Sequence, residues 1–154
     1  MIPRIDSQTR ELLDLPSVSQ IALVVKDVNK AIDFYREVWN VGPFRVFETE
    51  YTDRTYRGNP GNFRMRIALA SLGAIYLELI EPLEGESIYD EFLEKNGEGL
   101  HHLGFDVERI EDRISAMEKI GIQVLQSGKS PEVAFAYMDT MALSGFIMEF
   151  IERY

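Results

Sequence analysis

The chain has 154 residues, 45% of them hydrophobic, and a formal net charge of -10. This length suits one well-buried core and is too short for two ordinary domains. The acidic balance argues against a nucleic-acid partner, because phosphate backbones are bound chiefly by Lys and Arg. The chain has no cysteine. Disulfides, thiolate metal sites and cysteine nucleophiles are therefore excluded, and any metal must have nitrogen or oxygen ligands.

The N-terminal residues carry no targeting signal that we can identify. Charges interrupt residues 1–14 where a signal peptide has its apolar segment. No stretch of the chain approaches the run of about 20 apolar residues that a membrane helix needs. We therefore expect a soluble, cytoplasmic protein without a membrane partner. We interpret residues 1–17 as a short N-terminal extension with one helix at residues 6–15, and residues 18–154 as a single domain.

The first half of this domain shows one helical pattern among strand-like runs. The compact apolar run at residues 20–26 predicts a strand. Asp27 can cap the next helix, in which Val28 and Ile32 belong to a set of apolar residues at helical spacing. Three strands separated by turn residues are then predicted at residues 44–51, 63–72 and 74–81. Residues 18–82 therefore form a predicted β-α-β-β-β module.

The second half repeats this order after a predicted linker helix at residues 86–96. A strand, a helix and three further strands are predicted at residues 102–107, 108–120, 122–126, 133–139 and 145–152. Residues 100–154 thus form a second module of the same kind. The predicted fold class is α+β, with two tandem β-α-β-β-β modules in one domain.

The two modules also align residue by residue. Shifted by 82 positions, the first strand of one module lies on the first strand of the other, which places Gln20 on His102. Shifted by 71 positions, the segment LELIE lies on MEFIE, which places Glu78 on Glu149. Because the two matches lie at opposite ends of each module, they indicate an internal repeat.

The repeat selects four polar residues that lie inside apolar strands. A buried charge or amide without a partner is costly, so such residues need one another or a ligand. If the modules pack by pseudo-twofold symmetry, Gln20, Glu78, His102 and Glu149 converge. Each residue alone also fits a structural role. Gln20 can be a strand start, His102 a hydrogen-bonded core residue, and the two glutamates edge charges that oppose aggregation.

Neighbouring polar residues are interpreted differently. His101 and His102 are successive residues of a strand, so we expect their side chains to point to opposite faces and at most one to serve a given site. Glu81 and Glu152 lie nearer the strand ends than Glu78 and Glu149, and we assign both to solvent.

Four segments resemble the vicinal oxygen chelate superfamily: QIALVVKDVNKAIDFYREVWNVGPF, LELIEP, GEGLHHLGFDV and GFIMEF. The superfamily includes glyoxalase I, methylmalonyl-CoA epimerase, extradiol dioxygenases and bleomycin-resistance proteins, and the resemblance covers nearly all of residues 19–152. It implies that the two modules curl into a cup-shaped mixed sheet and that the chain forms a homodimer. It also implies a metal site with ligands at Gln20, Glu78, His102 and Glu149.

Within the superfamily, the chain is similar to methylmalonyl-CoA epimerase-like and glyoxalase I-like members. Epimerases typically have His and Gln where this chain has Gln20 and Glu78. The order Gln, Glu, His, Glu is similar to that of some glyoxalase I enzymes. Those enzymes carry an arginine for glutathione where this chain has Val24, and an Asn where Glu81 and Pro82 stand. These departures weaken an assignment to glutathione chemistry.

The donor set also supports a mechanism. Two carboxylates with a neutral Gln and His balance a divalent cation such as zinc, cobalt, nickel or manganese. A site of this kind suits proton abstraction next to a carbonyl group. We expect a metal-dependent epimerase, isomerase or lyase that catalyses 1,2-proton transfer, with Glu149 as the base and Glu78 as its partner. The expected substrate is an anionic or carbonyl-containing small molecule, for which an acyl-CoA thioester is one candidate.

Three alternatives stay open. The first is an enzyme similar to lactoylglutathione lyase. The second is an extradiol-type dioxygenase, although non-haem iron usually takes two histidines and a carboxylate. The third is a binding protein without catalysis, similar to the bleomycin-resistance proteins, which generally lack the four ligands.

Two further features have more than one interpretation. Five arginines lie at residues 45–66, interleaved with three acidic residues. They either meet anionic groups of a substrate or belong to a solvated, salt-bridged hairpin, and the mixed charge favours the hairpin. Tyr137 either lines the cup near its mouth or packs in the core or rim.

Overall fold

The computed structural model describes residues 3–154, so the first two residues of the predicted N-terminal extension lie outside it. The strands are β1 (Gln20–Val24), β2 (Arg45–Glu48), β3 (Thr52–Tyr56), β4 (Asn59–Pro60), β5 (Arg64–Leu72), β6 (Ile75–Glu84), β7 (Gly99–Asp106), β8 (Val124–Lys129), β9 (Val133–Met138) and β10 (Ile147–Arg153). The helices are α1 (Ser7–Leu13), α2 (Val28–Trp39), α3 (Ile88–Asn96), α4 (Ile110–Lys119) and α5 (Met141–Ser144).

All these strands belong to one mixed sheet, in the order β2-β5-β6-β1-β7-β10-β9-β8-β3-β4. At its centre β1 and β7 are antiparallel. On either side, β1 is parallel to β6 and β7 is parallel to β10. The predicted fold class is confirmed: two β-α-β-β-β modules lie side by side in one curled sheet, and α3 is the linker helix between them.

The backbone register follows the repeat seen in the sequence. In the central pair, Gln20 lies opposite Gly104 and Ala22 lies opposite His102. A shift of 82 positions exchanges these two pairs, because it carries Gln20 to His102 and Ala22 to Gly104. The first strands of the two modules are therefore related by a pseudo-twofold axis between them.

The first module departs from the prediction at residues 44–51, where a single strand was expected. The strand β2 ends at Glu48, and β3 joins the opposite edge of the sheet by pairing with β8. Residues 49–51, which we call the connector, therefore cross from one edge of the sheet to the other. The crossing is stabilised by a contact of the Tyr51 and Phe135 rings, 4.8 Å between centroids. A hydrogen bond of 2.7 Å joins the Thr55 and Ser127 hydroxyls.

Apolar residues pack on both faces of the sheet. The inner face carries one cluster that draws on both modules and includes Ala22, Met65, Ile80, Phe135 and Ile147. The helix α3 adds Ile88 and Tyr89 to this cluster. On the outer face, α2 covers the first module and α4 covers the second. The inner face is therefore the surface that the two modules share.

The second glutamate of each repeated segment has a structural role, so its assignment to solvent was wrong. Oε2 of Glu81 accepts a hydrogen bond of 2.9 Å from the backbone N–H of Val28, the first residue of α2. Glu152 accepts hydrogen bonds of 2.9 and 3.2 Å from the backbone N–H groups of Arg109 and Ile110 at the start of α4. Each carboxylate thus caps the helix of its own module, where backbone N–H groups lack partners within the helix.

The N-terminal helix α1 lies within the predicted range 6–15, with Asp6 as its cap. It is held against the second module, because the guanidinium of Arg113 donates to the carbonyl groups of Leu12 and Asp14. In the part of the chain that the structure describes, no helix is long and apolar enough to cross a membrane.

Candidate metal centre

The four polar residues selected by the repeat meet on the inner face of the sheet. Gln20 and Glu78 come from β1 and β6, and His102 and Glu149 come from β7 and β10. All four are buried, with 0% to 7% of their surface exposed. The register explains their convergence, because Glu78 lies beside Ala22 of β1 and Glu149 lies beside the matching residue Gly104 of β7.

Their polar atoms form one compact group. Oε2 of Glu149 lies 2.9 Å from Nε2 of His102, and Oε2 of Glu78 lies 3.4 Å from the same nitrogen. The amide nitrogen of Gln20 donates to Oε2 of Glu149 at 2.9 Å and to Oε2 of Glu78 at 3.1 Å. The two modules therefore contribute one carboxylate each to a cluster that also contains an amide and an imidazole.

Gly104 makes room for Gln20. A Cβ atom at Gly104 would lie 2.4 Å from Cγ of Gln20, which is shorter than any real contact. The side chain of Gln20 thus lies across the bare backbone of β7. Sequence reasoning missed this residue. Its signal was a glycine in the middle of an apolar strand, which often marks a close approach of another group.

The two adjacent histidines do not point to opposite faces as predicted. In the pairing of β1 with β7, Ala22 lies opposite His102 and Leu23 lies opposite Leu100, so His101 is the extra residue of a β-bulge. A bulge breaks the alternation of side chains along a strand and often re-aims one of them. Both imidazoles lie within 5.9 Å of the Tyr137 ring, and their Nδ1 atoms are 2.9 Å apart.

The cluster brings two carboxyl groups and one imidazole together in a buried site. Burial raises the pKa of Glu78, and the neighbouring charge of Glu149 raises it further, while His102 opposes the shift. Burial disfavours a charged His102, but the carboxylates of Glu149 and Glu78 outweigh it and raise its pKa to about 9. A protonated His102 can balance the charge of one carboxylate. An isolated buried charge is unfavourable, so the cluster suits a further cation.

The donor set fits a divalent metal ion. Nε2 of His102 is buried and makes no hydrogen bond of good geometry, although a carboxylate oxygen lies 2.9 Å away. Metal bonds of about 2.0 to 2.2 Å place neighbouring ligand atoms roughly 3 to 3.5 Å apart, and the contacts in this cluster are 2.9 to 3.4 Å long. Turning the Gln20 amide over would present its oxygen, because the two amide positions are interchangeable in shape. Glu78, His102 and Glu149 could supply the remaining ligand atoms, which all lie within 4.8 Å of one another.

A small cavity of about 80 Å³ opens beside the cluster. Gln20, Glu78 and Glu149 line it on one side. Phe47 and Tyr51 line it too, and Tyr51 belongs to the connector between β2 and β3. Burial, together with the charges of Glu78 and Glu149, raises the pKa of Tyr51. Tyr51 therefore stays a neutral phenol at the site. No pattern in the sequence indicated that it would lie there.

Tyr137 packs in the core beneath the cluster and does not line its cavity. It is 2% exposed, and its ring lies 4.7 Å from that of His102. Its hydroxyl group shares a hydrogen bond of 2.8 Å with the hydroxyl of Tyr89. Of the two interpretations of Tyr137, core packing is the one that the structure supports.

Three of the five arginines at residues 45–66 form ion pairs within the chain, in line with the interpretation that the mixed charge favoured. Arg64 and Arg66 both bind Glu48, at 2.9 and 2.8 Å. Arg57 binds Glu91 of α3 at 2.6 Å. These guanidinium groups are thus engaged with carboxylates of the chain itself.

The comparisons with known proteins agree with this fold. The family model of the Glyoxalase/Bleomycin resistance protein/Dioxygenase superfamily matches residues 19–137 of the chain. The chain belongs to this superfamily. The match begins just before Gln20 and includes three of the four clustered residues.

Two curated proteins are similar in sequence. The uncharacterized protein YqjC of Bacillus subtilis (strain 168) is 30% identical over 94 residues, which are 58% of this chain and 66% of that protein. The mitochondrial methylmalonyl-CoA epimerase of Mus musculus is 27% identical over 112 residues, which are 72% of this chain and 57% of that protein. The matches thus span less than two thirds of the length of either relative.

Solved structures share the fold over nearly the whole chain. A hypothetical protein from Bacillus halodurans C-125 has a TM-score of 0.66 at 24% identity, covering 90% of this chain and 94% of that one. The methylmalonyl-CoA epimerase from Mycobacterium tuberculosis has a TM-score of 0.64 at 17% identity, covering 91% and 89%. A variant of the Streptomyces coelicolor epimerase, in complex with 2-nitronate-propionyl-CoA, has a TM-score of 0.67 at 24% identity, covering 91% and 96%.

Proposed function

We propose that this chain is a metal-dependent epimerase, isomerase or lyase that moves a proton on a carbon next to a carbonyl group. The substrate would chelate a divalent ion held by Gln20, Glu78, His102 and Glu149. The observation that carries the proposal is the buried cluster itself. It joins two carboxylates, an amide and an imidazole from both modules at the spacing of metal ligands.

Zinc, cobalt, nickel and manganese are the candidate ions, because the donor atoms are nitrogen and oxygen without sulfur. Such an ion supplies Lewis-acid polarisation of a carbonyl oxygen when bound. The ligands sit on four neighbouring strands of one sheet, so the backbone register fixes their relative positions. A rigid set of donors of this kind is what a catalytic site needs.

Glu149 is our choice for the general base, and Glu78 is its partner. Glu149 takes the proton from the substrate carbon onto a carboxylate oxygen. A proton then returns either from Glu78, as a carboxylic acid, to the opposite face of the same carbon, which gives epimerisation, or from a carboxylic acid to the neighbouring carbon, which gives isomerisation. Both carboxylates border the cavity beside the cluster, where a substrate carbon can reach them. General bases at fixed positions typically contribute rate factors of about 100 to 10,000.

The cavity limits what can reach the carboxylates. Its volume of about 80 Å³ is small beside the roughly 300 to 1,000 Å³ of pockets that enclose a whole drug-sized ligand. Phe47, Tyr51, Ile67 and Phe135 give it mostly apolar walls. Only a small reacting group fits beside the carboxylates, and those walls keep bulk water from the carbon that loses its proton.

An acyl-CoA thioester is the substrate class that we favour. Three of the proteins that the chain resembles are named methylmalonyl-CoA epimerases, and one of these structures holds 2-nitronate-propionyl-CoA. A small acyl group would enter the cavity while the rest of the thioester stays outside. A lactoylglutathione substrate is less well supported, because Val24 stands where an arginine for glutathione is expected. The homodimer expected from the resemblance belongs to this proposal as well.

The geometry of the two histidines argues against the dioxygenase alternative. His102 faces the carboxylates, whereas His101 contacts Nδ1 of His102 on the far side of that ring. The cluster therefore offers one imidazole, and extradiol iron sites usually take two.

The test is solvent deuterium exchange with the metal-loaded protein. A panel of acyl-CoA thioesters, 2-oxo acids and hydroxyketones would be incubated in heavy water and followed by mass spectrometry. We expect deuterium incorporation at one carbon of at least one substrate, its loss in Glu149→Gln, and its retention in Glu84→Gln, an exposed residue on the same strand as Glu78. Exchange in none of the substrates, with metal bound, would rule the proposal out.

A further inference from the structure

We propose that His101 is a positioning residue that holds the imidazole of His102 in the tautomer and orientation required for Nε2 of His102 to bind the metal. This inference rests on the proposed metal site and adds a residue to it. The contact that carries it is the hydrogen bond between the two Nδ1 atoms, 2.9 Å long.

The β-bulge in β7 creates this contact. In a regular strand, the side chains of His101 and His102 would lie on opposite faces of the sheet. The bulge brings both rings to the inner face, His101 at 1% and His102 at 0% exposure. A bulge is a specific interruption of the ladder, and bulges are frequent next to active sites.

The hydrogen on the His102 ring then has one possible position. A neutral imidazole carries its hydrogen on one nitrogen, so a ring that binds metal through Nε2 carries it on Nδ1. Within residues 3–154, the acceptor in contact with Nδ1 of His102 is Nδ1 of His101. His101 must accept there and therefore carries its own hydrogen on Nε2.

The acceptor itself is held in place by aromatic rings. The centroids of Phe92, Tyr89 and Tyr137 lie 5.0, 5.5 and 5.9 Å from that of His101. Two of these rings come from α3 and one from β9. Histidine ligands usually donate their second N–H to a carboxylate, a carbonyl or water, and loss of that partner costs about 10 to 100-fold in metal affinity. Here a second histidine occupies that position.

A matched set of variants separates positioning from simple filling of the core. His101→Asn keeps a polar atom near the place of Nδ1, and His101→Gln moves the polar group towards the place of Nε2. His101→Leu fills similar space without an acceptor. If the His101 ring only fills space, metal affinity should be retained best in His101→Leu. If the ring positions His102, metal affinity should be retained best in His101→Asn.

The experiment is a titration of the full chain with cobalt(II), followed by its visible absorption and by competition with a chelator. We expect His101→Asn to bind within about threefold of the wild type, and His101→Gln and His101→Leu to bind about 10 to 100-fold more weakly. Nitrogen-15 NMR of the zinc-loaded protein gives a second readout, in which wild type and His101→Asn show the Nδ1–H tautomer of His102.

The outcomes distinguish the two proposals. A wild-type protein that binds no cobalt, zinc, nickel or manganese overturns the metal site and this inference together. Wild-type binding with equal affinity in His101→Gln and His101→Leu, or an Nε2–H tautomer for zinc-loaded His102, overturns the role of His101 alone. Circular dichroism would show whether His101→Leu unfolds. In that case the metal affinities of His101→Asn and His101→Gln are compared, and equal affinities overturn the role of His101.

Discussion

The two modules place different side chains at the same backbone positions. The first module has an amide at Gln20 where the second has an imidazole at His102, while Glu78 and Glu149 are alike. Beside the amide and the imidazole, Ala22 of the first module corresponds to Gly104 of the second. The repeat thus supplies a symmetric set of positions, and substitution within it produces an asymmetric donor set.

The modules also differ in the segments that reach across the sheet to the other module. The first module extends its connector and the hairpin β3–β4 across to the edge strand β8 of the second. By this route Tyr51 reaches the cavity beside the cluster. The first module therefore provides the cover of the site, and the second provides the imidazole and the bulge that orients it.

The helix caps show a third difference. In the first module, Asp27 accepts hydrogen bonds from Asn29 and Lys30, and Glu81 accepts one from Val28. In the second module, the N-cap residue Arg109 offers no side-chain cap, so Glu152 is the side chain that satisfies the start of α4. Two carboxylates therefore cap the helix of the first module, whereas a single carboxylate caps the helix of the second.

The largest effect on metal affinity should come from removing the imidazole of His102 or the amide of Gln20. We expect His102→Ala to lower the affinity for zinc by at least about 100-fold, because loss of a ligand should cost more than loss of its hydrogen-bond partner. Gln20→Ala should cost less, about 10-fold, since a neutral amide oxygen is a weaker donor and water can replace it. Calorimetric titration of both variants measures the difference. Equal losses of zinc affinity in the two variants would contradict the prediction that His102 binds the metal more strongly than Gln20.

The next effect concerns Gly104 and Ala22. Gly104→Ala places a methyl group 2.4 Å from Cγ of Gln20. We expect the Gln20 side chain to be displaced, with about 1 to 3 kcal/mol lost from the free energy of unfolding and a weaker metal affinity. Ala22→Gly should cost about 0.5 to 1 kcal/mol, through backbone entropy, and leave metal affinity unchanged. Urea denaturation and metal titration check both variants; an unaltered metal affinity in Gly104→Ala would contradict the role of the glycine.

A smaller effect should separate the two capping glutamates. Glu152→Ala removes the side-chain partner of two backbone N–H groups and should cost about 1 to 2 kcal/mol. Glu81→Ala leaves Asp27 in place and should cost about 0.5 to 1 kcal/mol. Denaturant unfolding of the two variants gives the comparison. If Glu81→Ala and Glu152→Ala lower the free energy of unfolding equally, Asp27 does not compensate for the loss of the Glu81 cap.

The smallest effect concerns the attachment of the β3–β4 hairpin to α3. Arg57 and Tyr56 both donate to the carboxylate of Glu91. The hydrogen bond from Arg57 lowers the pKa of Glu91 below its ordinary value of 4.5, with burial partly opposing the shift. The stabilisation is therefore present above pH 4.5 and is lost as the pH falls through the lowered pKa of the folded state.

Because both partners are partly exposed, Glu91→Gln should cost at most about 1 kcal/mol near neutral pH. The difference from wild type should shrink as the pH falls below 4.5. Urea unfolding from neutral pH to below pH 4.5 measures this difference in the free energy of unfolding. The control is Glu94→Gln, on the exposed side of the same helix. A difference that stays constant with pH would exclude the ion pair as its source.

The fold and the four clustered residues could be predicted from the sequence because both depend on strand patterns. Apolar runs located the strands, and the repeat placed Gln20 on His102 and Glu78 on Glu149 without any knowledge of the register. Polar residues inside apolar strands are costly unless partnered, so their coincidence at matched positions pointed to one site.

The residues around the cluster could not be predicted because they depend on contacts between distant segments. The bulge that turns His101 inward is a feature of the pairing of β1 with β7, and strict alternation has no means of showing it. Tyr51 reaches the cavity because β3 joins the far edge of the sheet. Gly104 is required by a side chain on another strand. Local periodicity carries no information on any of these contacts.

We propose that the two modules together hold one divalent ion. Crystallography of the zinc-loaded protein, with anomalous data at the zinc edge, tests this most directly. We expect one anomalous peak on the inner face of the sheet, within about 2.0 to 2.2 Å of an oxygen or nitrogen of Gln20, Glu78, His102 and Glu149. A peak elsewhere, or no peak when zinc is present in excess, would contradict it.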